Sequence, residues 1–560
     1  MASAPEWVQA VIPEGVESLT AEGLSTRLAT LLVRRGVETP AAAAEFLEPS
    51  LEGLHDPGLM PGMQAAVERL LEARGLGEKV AIVGDYDVDG VSATALLVAV
   101  LRSCGLDVVA ILPERLKEGY GFQPVHVEMA TQMGCKLVVT ADCGSTALDA
   151  AVKAGEAGLG VIVTDHHLGS EVQLPDWVIE INPHAPDSDY PFPQLSGAGV
   201  AYKLAVGLLE ALNRRVDQDA LLRITCLGTI CDLVPLLGEN RIIAARGVAS
   251  LGDTKSVGLR TLMQRASVEA PVTAGDVGFR IGPRINAAGR LASPRPALDL
   301  LLTADRAEAV RLTNDLDTWN RERQGTERKV VEEAERQFVD LSPLPPILVA
   351  WSEDWHPGVL GIAAGRIART FYRPTLLFNV AGGTAKGSGR SVSGVHLFDF
   401  LGHWREEYAR FGGHAQAIGI SVSANELEVL AEKWQAEAAR QWDPAVLIRK
   451  YEYELTVSSK EIDNSLLEEL SALEPFGMAN RQPVLRVENL CLDGPPRRFG
   501  RGHLSGRAVG ADGGRVDLLG WGWQPREADL AGTFEILGTL ERDRYHGRPV
   551  LRLLDARSSE

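Results

Sequence analysis

Apolar and polar residues alternate in two different ways along the first half of the chain. Short runs rich in Val and Ile, typical of buried strands, lie at 80–83, 108–112, 137–140, 161–164 and 177–181. Longer patterns typical of helices, such as 91–103 and 146–154, lie between some of these runs. Strands that alternate with helices indicate a parallel sheet covered by helices. We therefore predict an α/β domain whose last part, after residue 196, is mainly helical.

The second half of the chain shows three further patterns. A stretch rich in Glu and Arg from about residue 305 to 340 predicts a long exposed helix, and a second α/β pattern follows the proline-rich residues 341–346. Short alternating runs separated by glycines then predict a small all-β barrel. The predicted domains are an N-terminal segment packed on the catalytic core (1–75), the first α/β domain (76–250), a connecting region with the long helix (251–345), a second α/β domain (346–445) and the barrel (446–560).

Acidic and imidazole side chains follow three of the predicted strands in the first domain. They are Asp85, Asp87 and Asp89 after the first run, Asp142 after 137–140, and His166 with His167 after 161–164. The carboxyl ends of parallel strands share one edge of a sheet, so these groups are expected to converge. Carboxylates crowd together only at an electrostatic cost unless a cation lies between them. Mixed carboxylate and imidazole donors without thiolates predict a site for Mn²⁺ or a similar divalent ion.

Two other interpretations of the acidic segment 84–90 fit its residues less well. A calcium-binding EF-hand loop requires Glu at its twelfth position, where Leu96 stands. A dinucleotide-binding loop requires glycines at the places that aspartates occupy here. The Asp-His-His segment, taken alone, is also compatible with a solvated turn. Metal binding is favoured because all three segments follow strands.

Four segments together resemble the motifs of the DHH phosphoesterase superfamily. They are Gly84-Asp-Tyr-Asp-Val-Asp-Gly90, Ala141-Asp142-Cys143-Gly144, Thr164-Asp165-His166-His167 and Cys231-Asp232. The resemblance implies that two Mn²⁺ or Mg²⁺ ions are bound by Asp87, Asp89, Asp142, His166 and Asp232. It also implies catalytic roles for Asp85, His167 and Asp142, with Asp142 between the ions. For Asp232 the residues add one argument, since a carboxylate in an apolar helical run needs a partner.

The second α/β domain resembles the DHHA1 domain that accompanies this superfamily. The likeness lies in the segments Ala385-Lys-Gly-Ser-Gly-Arg-Ser391 and Phe411-Gly-Gly-His-Ala-Gln-Ala417. Glycines allow a phosphate to approach the backbone closely, and Ser388, Arg390 and His414 are hydrogen-bond donors. We expect these three side chains to bind substrate from a glycine-rich loop, although such a loop is often a plain turn.

Arginines crowd the segment Phe279-Arg-Ile-Gly-Pro-Arg-Ile-Asn-Ala-Ala-Gly-Arg290 between the two domains. A solvated loop is one interpretation. The apolar residues of the segment imply partial burial, and buried arginines need anionic partners, so binding of a phosphate backbone is favoured. Arg115, just beyond a predicted strand, is a further candidate for a 5′-phosphate pocket. The predicted substrate-binding residues are Arg115, Arg284, Asn286, Arg290, Ser388, Arg390 and His414.

The terminal barrel resembles an OB-fold, which binds single strands through aromatic stacking and a basic groove. The net charge of −19 excludes a chain coated with positive charge but permits a local basic groove. The first ten residues lack the pattern of a signal peptide, and no apolar run is long enough to span a bilayer. Six cysteines without C-x-x-C spacing indicate reduced thiols. We therefore predict a cytoplasmic protein without membrane contact.

Within the superfamily, the chain resembles bacterial nucleases that degrade single-stranded DNA from the 5′ end. This resemblance implies two-metal hydrolysis of phosphodiesters, release of 5′-mononucleotides, and a role in DNA repair and recombination. It also implies a monomeric enzyme with a RecQ-type helicase and a single-stranded-DNA-binding protein as partners. Two alternatives remain open, a phosphodiesterase or nanoRNase for cyclic dinucleotides or short oligonucleotides, and a nuclease-dead DNA-binding scaffold. The N-terminal segment and the barrel favour a polymeric substrate, because a small-molecule enzyme needs only the two α/β domains.

Overall fold

The computed structural model describes residues 4–114, 121–169, 173–186, 188–215, 217–544 and 546–558. The chain divides into two compact units. One contains residues 8–286, 294–313 and 452–560, and the other contains residues 1–7, 287–293 and 314–451. The acidic strand ends and the terminal barrel therefore belong to the first unit, and the second α/β pattern belongs to the other.

Short elements precede the first sheet. They are β1 (Glu6–Gln9), α1 (Val16–Thr20), α2 (Thr26–Val33), α3 (Pro40–Leu47) and α4 (Met63–Leu76). Helix α2 begins where the Ser25 side chain accepts a hydrogen bond from the Leu28 N–H (3.1 Å), and Thr39 caps α3 in the same way. Every side chain of α2 after Arg27 is buried, so this helix needs apolar neighbours on all sides.

A five-stranded parallel sheet forms the centre of the first α/β domain, as the sequence predicts. The elements are β2 (Lys79–Gly84), α5 (Val88–Ser103), β3 (Asp107–Ile111), α6 (Pro124–Gln132), β4 (Leu137–Ala141), α7 (Leu148–Glu156), β5 (Gly160–Thr164) and β6 (Ile179–Ile181). The strand order is β3-β2-β4-β5-β6, and all neighbours run parallel. Strands β2, β4 and β5 are adjacent, so the residues that follow them lie at one edge of the sheet.

Helices follow this sheet along the chain. They are α8 (Gly197–Ala211), α9 (Gln218–Cys231), α10 (Gly238–Leu251), α11 (Val257–Arg265), α12 (Ala274–Asp276), α13 (Gly282–Leu291), α14 (Arg295–Leu302) and α15 (Arg306–Phe338). A π-helical turn, Val277–Ile281, joins α12 to α13. The arginine-rich segment 279–290 is therefore helical, not a solvated loop. Within the described ranges, none of the helices is long and apolar enough to cross a membrane.

The second α/β domain contains a mixed sheet. Its elements are β7 (Leu348–Ser352), α16 (Leu360–Phe371), β8 (Thr375–Ala381), β9 (Thr384–Arg390), α17 (Leu397–Gly402), β10 (Arg410–His414), β11 (Ala417–Ser423) and α18 (Leu427–Gln441). The strand order is β10-β11-β9-β8-β7, and only β7 and β8 are parallel. The expected glycine-rich loop at Ser388 and Arg390 is instead strand β9. The reason is packing, because a Cβ at Gly387 would overlap the Phe378 ring.

The last part of the chain is a closed barrel, as the sequence predicts. The elements of this part of the chain are β12 (Lys450–Tyr453), β13 (Leu455–Thr456), α19 (Asn464–Ser471), β14 (Val484–Leu492), β15 (Arg497–Phe499), β16 (His503–Gly510), β17 (Arg515–Gly520), β18 (Phe534–Arg542) and β19 (Pro549–Ser558). All of these strands except β12 belong to the sheet of the barrel. The sheet order is β13-β14-β18-β19-β17-β16-β15, and a further pairing of β14 with β16 closes it. Closure removes the exposed edges of the five strands that form the ring.

Helices α1–α3 share an apolar core with this barrel. The buried residues of that core include Leu31 and Phe46 from the helices and Leu485 from β14. Arg35 adds a polar contact, donating from Nε to Asn480 Oδ1 at 2.7 Å. This differs from the predicted packing of residues 1–75 on the catalytic core, because the apolar sides of α2 and α3 are covered by the barrel. Helix α4, in contrast, contacts α8 of the first α/β domain.

Arg241 of α10 links three parts of the first unit. Its guanidinium is buried and donates to the carbonyl oxygens of Phe46 (2.7 Å), Leu473 (3.0 Å) and Glu474 (2.8 Å). It also lies over the Phe46 ring, 3.7 Å from the centroid. Burial, with the nearby Arg35 charge, lowers the pKa of Arg241 to about 10. The side chain remains charged at neutral pH and ties α3, α10 and the segment after α19 to one another.

Candidate metal centre

Asp87 and Asp89 lie at the start of α5, directly after strand β2. Asp87 is the N-cap residue, and its Oδ1 accepts hydrogen bonds from the N–H groups of Asp89 (2.9 Å) and Gly90 (3.1 Å). A carboxylate is favoured there because the N-terminus of a helix carries a partial positive charge. Asp85 is packed against the same turn, since a Cβ at Gly90 would meet the Asp85 Cβ at 2.6 Å.

Asp89 is held by a second helix. Its carboxylate is buried and accepts the N–H groups of Gly197 (2.7 Å) and Ala198 (2.9 Å) at the start of α8. Burial and the Asp87 charge raise the pKa of Asp89 to about 7, although these two hydrogen bonds lower it. A buried carboxylate with that pKa favours a proton or a metal ion beside it.

Asp142 follows strand β4 in a strained backbone conformation. Its φ angle of 66° lies in the left-handed region, which costs a non-glycine residue about 1–3 kcal/mol and is common at functional sites. Burial raises the pKa of Asp142 well above its usual range, and the charges of Asp89, Asp87, Asp232 and Asp85 act in the same direction. This backbone conformation therefore holds the Asp142 carboxylate at a place where its negative charge is unfavourable without a cation.

Three carboxylates surround the Nε2 atom of His166. This atom lies 3.2 Å from Asp142 Oδ1, 3.6 Å from Asp232 Oδ2 and 3.8 Å from Asp89 Oδ2. Among the residues that the structure describes, neither His166 Nε2 nor Asp142 Oδ1 has a hydrogen-bond partner, although both atoms are buried. Burial lowers the pKa of His166 to about 4, and the His167 charge acts in the same direction. The imidazole is therefore neutral, which is the form that binds metal ions.

Asp232 lies at the end of α9. It is the C-cap residue, its N–H donates to the Gly228 carbonyl (2.9 Å), and 24% of its side chain is exposed. Burial and the Asp89 charge raise its pKa to about 8. The expectation of a carboxylate inside an apolar helical run is therefore corrected, because the helix ends one residue earlier and leaves Asp232 beside His166.

The acidic and imidazole side chains form three overlapping sets of possible metal ligands. These sets are Asp89, His166 and Asp232, then Asp142, His166 and His167, and finally Asp85, Asp87 and Asp142. The ligand atoms within each set lie no more than 4.8 Å apart. Asp142 and His166 each belong to two sets. Carboxylate oxygens with one neutral imidazole and no thiolate are donors that fit Mn²⁺ or Mg²⁺, so the arrangement suits two neighbouring ions.

His167 is oriented by Asp165, which was not among the predicted site residues. The His167 Nδ1 lies 2.7 Å from Asp165 Oδ1. The same carboxylate accepts the N–H groups of Ser145 (3.0 Å), His166 (2.8 Å) and His167 (3.1 Å). Burial lowers the pKa of His167, but the hydrogen bond and charge of Asp165 outweigh it and raise the pKa to about 9. His167 is therefore protonated at neutral pH in the metal-free protein. Asp165 directly precedes the two histidines in the sequence, and this was the signal that could have identified it.

Two glycines complete the site and were also missed. A Cβ at Gly197 would overlap the Asp142 carboxylate, and a Cβ at Gly228 would overlap the Asp89 carboxylate. Glycine at these positions allows α8 and α9 to lie directly against the acidic groups. The signal in the sequence was the run Ser196-Gly-Ala-Gly199 at the start of a helical pattern, but nothing along the chain shows which side chain it faces.

We expect Gly197→Ala to weaken Mn²⁺ binding by about 10- to 100-fold, the range typical of disturbing the support of a metal ligand. The added methyl group would displace Asp142. Gly207→Ala in the same helix is the matched control, because its Cβ would meet Met63 and Val67 only at an ordinary 3.5 Å. Calorimetric titration with Mn²⁺ measures both variants, and equal affinities would show that the Gly197 contact does not matter.

The predicted substrate-binding residues of the helical segment lie in α13. Arg284 Nη1 donates to the Arg280 carbonyl at 2.6 Å, and Asn286 follows half a turn later. Arg290 lies near the end of the helix and donates to the Gly358 carbonyl at 3.4 Å. Arg115, predicted for the 5′-phosphate pocket, lies outside the described residues.

Ser388, Arg390 and His414 lie on one face of the mixed sheet. Arg390 is in register with Ala417, which is in register with His414, and Ser388 is two residues from Arg390 on the same strand. Burial lowers the pKa of His414, and the charges of Arg390 and His396 lower it further. Basic groups are therefore close together on this face, as an anion site requires.

Models of known protein families match three parts of the chain. The model described as the DHH family, N-terminal domain, covers residues 79–229, that of the DHHA1 domain covers 344–439, and that of the RecJ OB domain covers 453–554. The parallel sheet with its acidic edge and these three models together define a DHH phosphoesterase.

Proteins of known sequence and structure match nearly the whole chain. The single-stranded-DNA-specific exonuclease RecJ of Bacillus subtilis is 34% identical over 575 residues, which cover 100% of this chain and 72% of that protein. RecJ of Escherichia coli is 34% identical over 484 residues, covering 82% of this chain and 84% of that protein. The crystal structure of Thermus thermophilus RecJ in complex with Mn²⁺ has a TM-score of 0.83 at 31% identity and covers 99% of this chain and 80% of that one. The chain belongs to the RecJ family.

Proposed function

We propose that this protein is a metal-dependent exonuclease that hydrolyses single-stranded DNA from its 5′ end and releases 5′-mononucleotides in DNA repair and recombination. The observation that carries the proposal is the cluster of carboxylates around His166 at the carboxyl edge of the parallel sheet. This cluster occurs in a chain that resembles single-strand-specific exonucleases from end to end. The OB barrel supports a polymeric substrate, since such barrels bind single strands.

The proposed metal ligands would hold two Mn²⁺ or Mg²⁺ ions. They are Asp87, Asp89, Asp142, His166 and Asp232. Bound ions would supply a hydroxide nucleophile near neutral pH and stabilise the charge of the phosphate and the leaving oxygen. The chain supplies rigidity, because Asp89 is held by the backbone of α8 and Asp142 by its strained turn. Donors that are fixed before substrate binds need little rearrangement during the reaction.

His167 and Asp85 are proposed to act on the reacting groups. The protonated imidazole of His167 is 45% exposed and is held by Asp165, so it can donate a hydrogen bond to an oxygen of the scissile phosphate. Asp85 lies in one acidic set with Asp87 and Asp142. A carboxylate there is placed to accept a proton from the attacking water.

Two groups of side chains are proposed to bind the DNA strand. Arg284, Asn286 and Arg290 would bind the phosphate backbone, since one guanidinium group can donate two parallel hydrogen bonds to the oxygens of a phosphate. The 5′ phosphate would be received by Ser388, Arg390 and His414, together with Arg115. The shared sheet face of the first three residues supports this role.

A digest of long single strands labelled at the 5′ or the 3′ end, with Mn²⁺, tests the function. Early release of the 5′ label alone is the expected result. Cleavage of dinucleotides but not of long strands would instead assign the phosphodiesterase or nanoRNase activity. Binding without release of either label would assign a DNA-binding scaffold. The matched controls are the same reactions with EDTA, which removes the ions, and with blunt duplex DNA.

Arg390→Ala is expected to reduce the preference for 5′-phosphorylated over 5′-hydroxyl ends by about tenfold, since a charge-assisted hydrogen bond contributes about 1.5–3 kcal/mol. Arg390 supplies the guanidinium next to Ser388 on β9. Competition between the two kinds of strand in one digest measures the preference. Lys433→Ala, in α18 of the same domain, is the control because Lys433 pairs with Glu407 (2.9 Å). An unchanged preference in Arg390→Ala would place the pocket elsewhere.

Further parts of the proposal concern organisation and setting. The proposed domain limits are 1–75, 76–250, 251–345, 346–445 and 446–560.

We also propose a monomer that works in the cytoplasm with a RecQ-type helicase and a single-stranded-DNA-binding protein. Free cysteines, six in all, support a reducing compartment. Light scattering of the pure protein tests the monomer, and stimulation of the nuclease by each partner on duplex DNA with a single-stranded end tests the partnerships.

A further inference from the structure

The π-helical turn Val277–Ile281 packs against the end of α9, beside the proposed metal ligand Asp232. Cys231, the last residue of α9, makes this contact. Its Sγ lies 4.0 Å from the Val277 carbonyl oxygen, and a Cβ at Gly282, directly after the turn, would overlap that sulfur. π-helical turns are rare in proteins and occur frequently at functional sites. This turn lies next to the metal centre without supplying a proposed ligand to it.

Two apolar side chains are exposed on the segments that meet here. Phe279, in the middle of the turn, is 84% exposed, and its Cδ2 lies near the backbone of Gly275. Leu233, directly after Asp232, is 64% exposed and has a φ angle of 62°, a left-handed conformation that is strained for leucine. A single apolar side chain on a surface needs no explanation, but two beside a metal site indicate a ligand with an apolar surface.

Asp276 fixes the position of the turn. Its buried carboxylate accepts hydrogen bonds from the Thr273 hydroxyl (2.8 Å), from Arg280 Nη1 (3.0 Å) and from Arg544 Nη2 (2.7 Å). Arg544 lies between β18 and β19 of the barrel. The turn is therefore held between α9, which supplies a proposed metal ligand, and the terminal barrel.

We propose that Phe279 stacks on a base of the DNA strand, on the 3′ side of the scissile phosphate. The inference rests on the proposed function. When a 5′-mononucleotide is released, the scissile phosphate joins the first nucleotide to the second, so the rest of the strand extends from the metal centre in its 3′ direction. A strand that contacts both the metal centre and the barrel passes the turn that is held between them.

A nucleotide base is the apolar surface that fits this position. Aromatic side chains stack on the bases of single strands and accept every base, because each base has a π face. Such rings are typically combined with cations that follow the backbone, and Arg284 lies five positions after Phe279. Stacking would thus hold the strand without a preference for sequence, as an exonuclease that degrades long strands requires.

Strands that lack one base test the stacking. A set of 5′-labelled strands of equal length carries a single abasic residue, at a different place in each strand from the first nucleotide to the fifth. With Mn²⁺, the unmodified protein should cleave at least one strand with the gap at the second nucleotide or later about tenfold less efficiently than the intact strand. The measurement is kcat/KM for the first release of the label at limiting strand concentration.

Phe279→Ala should lower kcat/KM for the intact strand by about tenfold, because the same stacking is lost. It should lose nothing further at one abasic place to which the unmodified protein is sensitive, since ring and base act as a pair. Phe279→Trp keeps an aromatic ring and should retain both the rate and the sensitivity. Thermal unfolding checks that Phe279→Ala is folded, which is expected for so exposed a side chain.

Leu76→Ala is the matched control. Leu76 is also an exposed apolar residue, but it ends α4 just before β2 begins, at the edge of the parallel sheet opposite the acidic groups. Its removal should leave kcat/KM and the sensitivity to abasic residues at the values of the unmodified protein. A loss equal to that of Phe279→Ala would show that any exposed apolar residue has this effect, and would overturn the stacking.

The remaining outcomes separate the stacking from the proposed function. If the unmodified protein releases the label from no single strand, the proposed function and the inference are both removed. If it degrades single strands but is insensitive to every abasic residue, or if Phe279→Ala keeps the full rate, the stacking alone is overturned. A slower Phe279→Ala that keeps every abasic sensitivity would also overturn it, because the ring would then act independently of the base. Loss of sensitivity at the first nucleotide alone would overturn the assignment to the 3′ side.

Discussion

Asp142→Ala is expected to lower the rate of DNA hydrolysis with Mn²⁺ by at least about a thousandfold, because several kcal/mol of metal-ion stabilisation are lost. Asp142 belongs to two of the three ligand sets, so its removal affects both proposed ions. Release of a 5′ label from a long single strand measures the rate. Asp149→Ala is the matched control, since Asp149 lies seven positions further along the chain and is exposed on α7.

Although loss of the Asp142 charge should abolish the reaction, it should make the metal-free protein more stable. Burial and four neighbouring carboxylates raise the pKa of Asp142 in the folded state. A carboxyl group with a raised pKa destabilises the fold as the pH rises above its unfolded pKa. Asp142→Asn, which keeps the shape but removes the charge, should therefore raise the melting temperature at pH 8 without metal. Mn²⁺ should then stabilise the unmodified protein more than the variant.

These two measurements separate a metal ligand from a structural residue. A lower melting temperature of metal-free Asp142→Asn would mean that the carboxylate stabilises the fold through protein contacts. Substantial nuclease activity of Asp142→Ala with Mn²⁺ would remove Asp142 from the metal site. Either result would contradict the assignment, and the Asp149 control excludes a general effect of losing an acidic group.

Arg241→Met is expected to destabilise the first unit by about 3–5 kcal/mol. Three carbonyl oxygens, those of Phe46, Leu473 and Glu474, would lose their donor. Each buried group left without a partner costs about 1–3 kcal/mol, offset in part by the relief of a buried charge. Methionine keeps much of the side-chain volume, so the loss reports the hydrogen bonds and not a cavity.

Unfolding in urea measures this effect, with Arg246→Met as the control. Arg246 lies in the same helix and forms an ion pair with Asp219 (3.0 Å). Its side chain is 43% exposed. An exposed pair contributes about 0–1 kcal/mol. Equal midpoints for the two variants would show that the three carbonyls find other partners. Hydrogen exchange at the Phe46 and Leu473 segments would show whether α3 loosens from the barrel first.

Much of the fold follows from local patterns in the sequence. The apolar runs at 80–83, 137–140 and 161–164 became β2, β4 and β5 of the predicted parallel sheet. The charged stretch near 305–340 became the predicted long helix, α15, but the expectation that it is exposed was wrong for one side of it, where Asp317, Asn320 and Arg323 are buried. These patterns predict the elements well because the spacing of apolar residues in a strand or a helix can be seen from neighbouring residues alone.

Glycine-rich segments were harder to interpret. A loop was expected around Ser388 and Arg390, but this segment is strand β9, because Gly387 makes room for the Phe378 ring. Gly197 and Gly228 make room for carboxylates instead. The same residue type thus serves packing at one place and the metal site at another. Only the neighbour in space distinguishes them.

The sequence by itself determined that acidic groups and imidazoles meet. Asp89, Asp142 and His166 follow adjacent parallel strands, and the chain direction brings all such strand ends to one edge of the sheet. The tertiary structure decided which atoms face one another. The capping of Asp89 by α8, the arrival of Asp232 from the end of α9, and the burial of α2 and α3 on a barrel more than 400 residues away in sequence depend on helix packing. Such packing is a sum of many weak contacts between distant residues, and no local pattern encodes it.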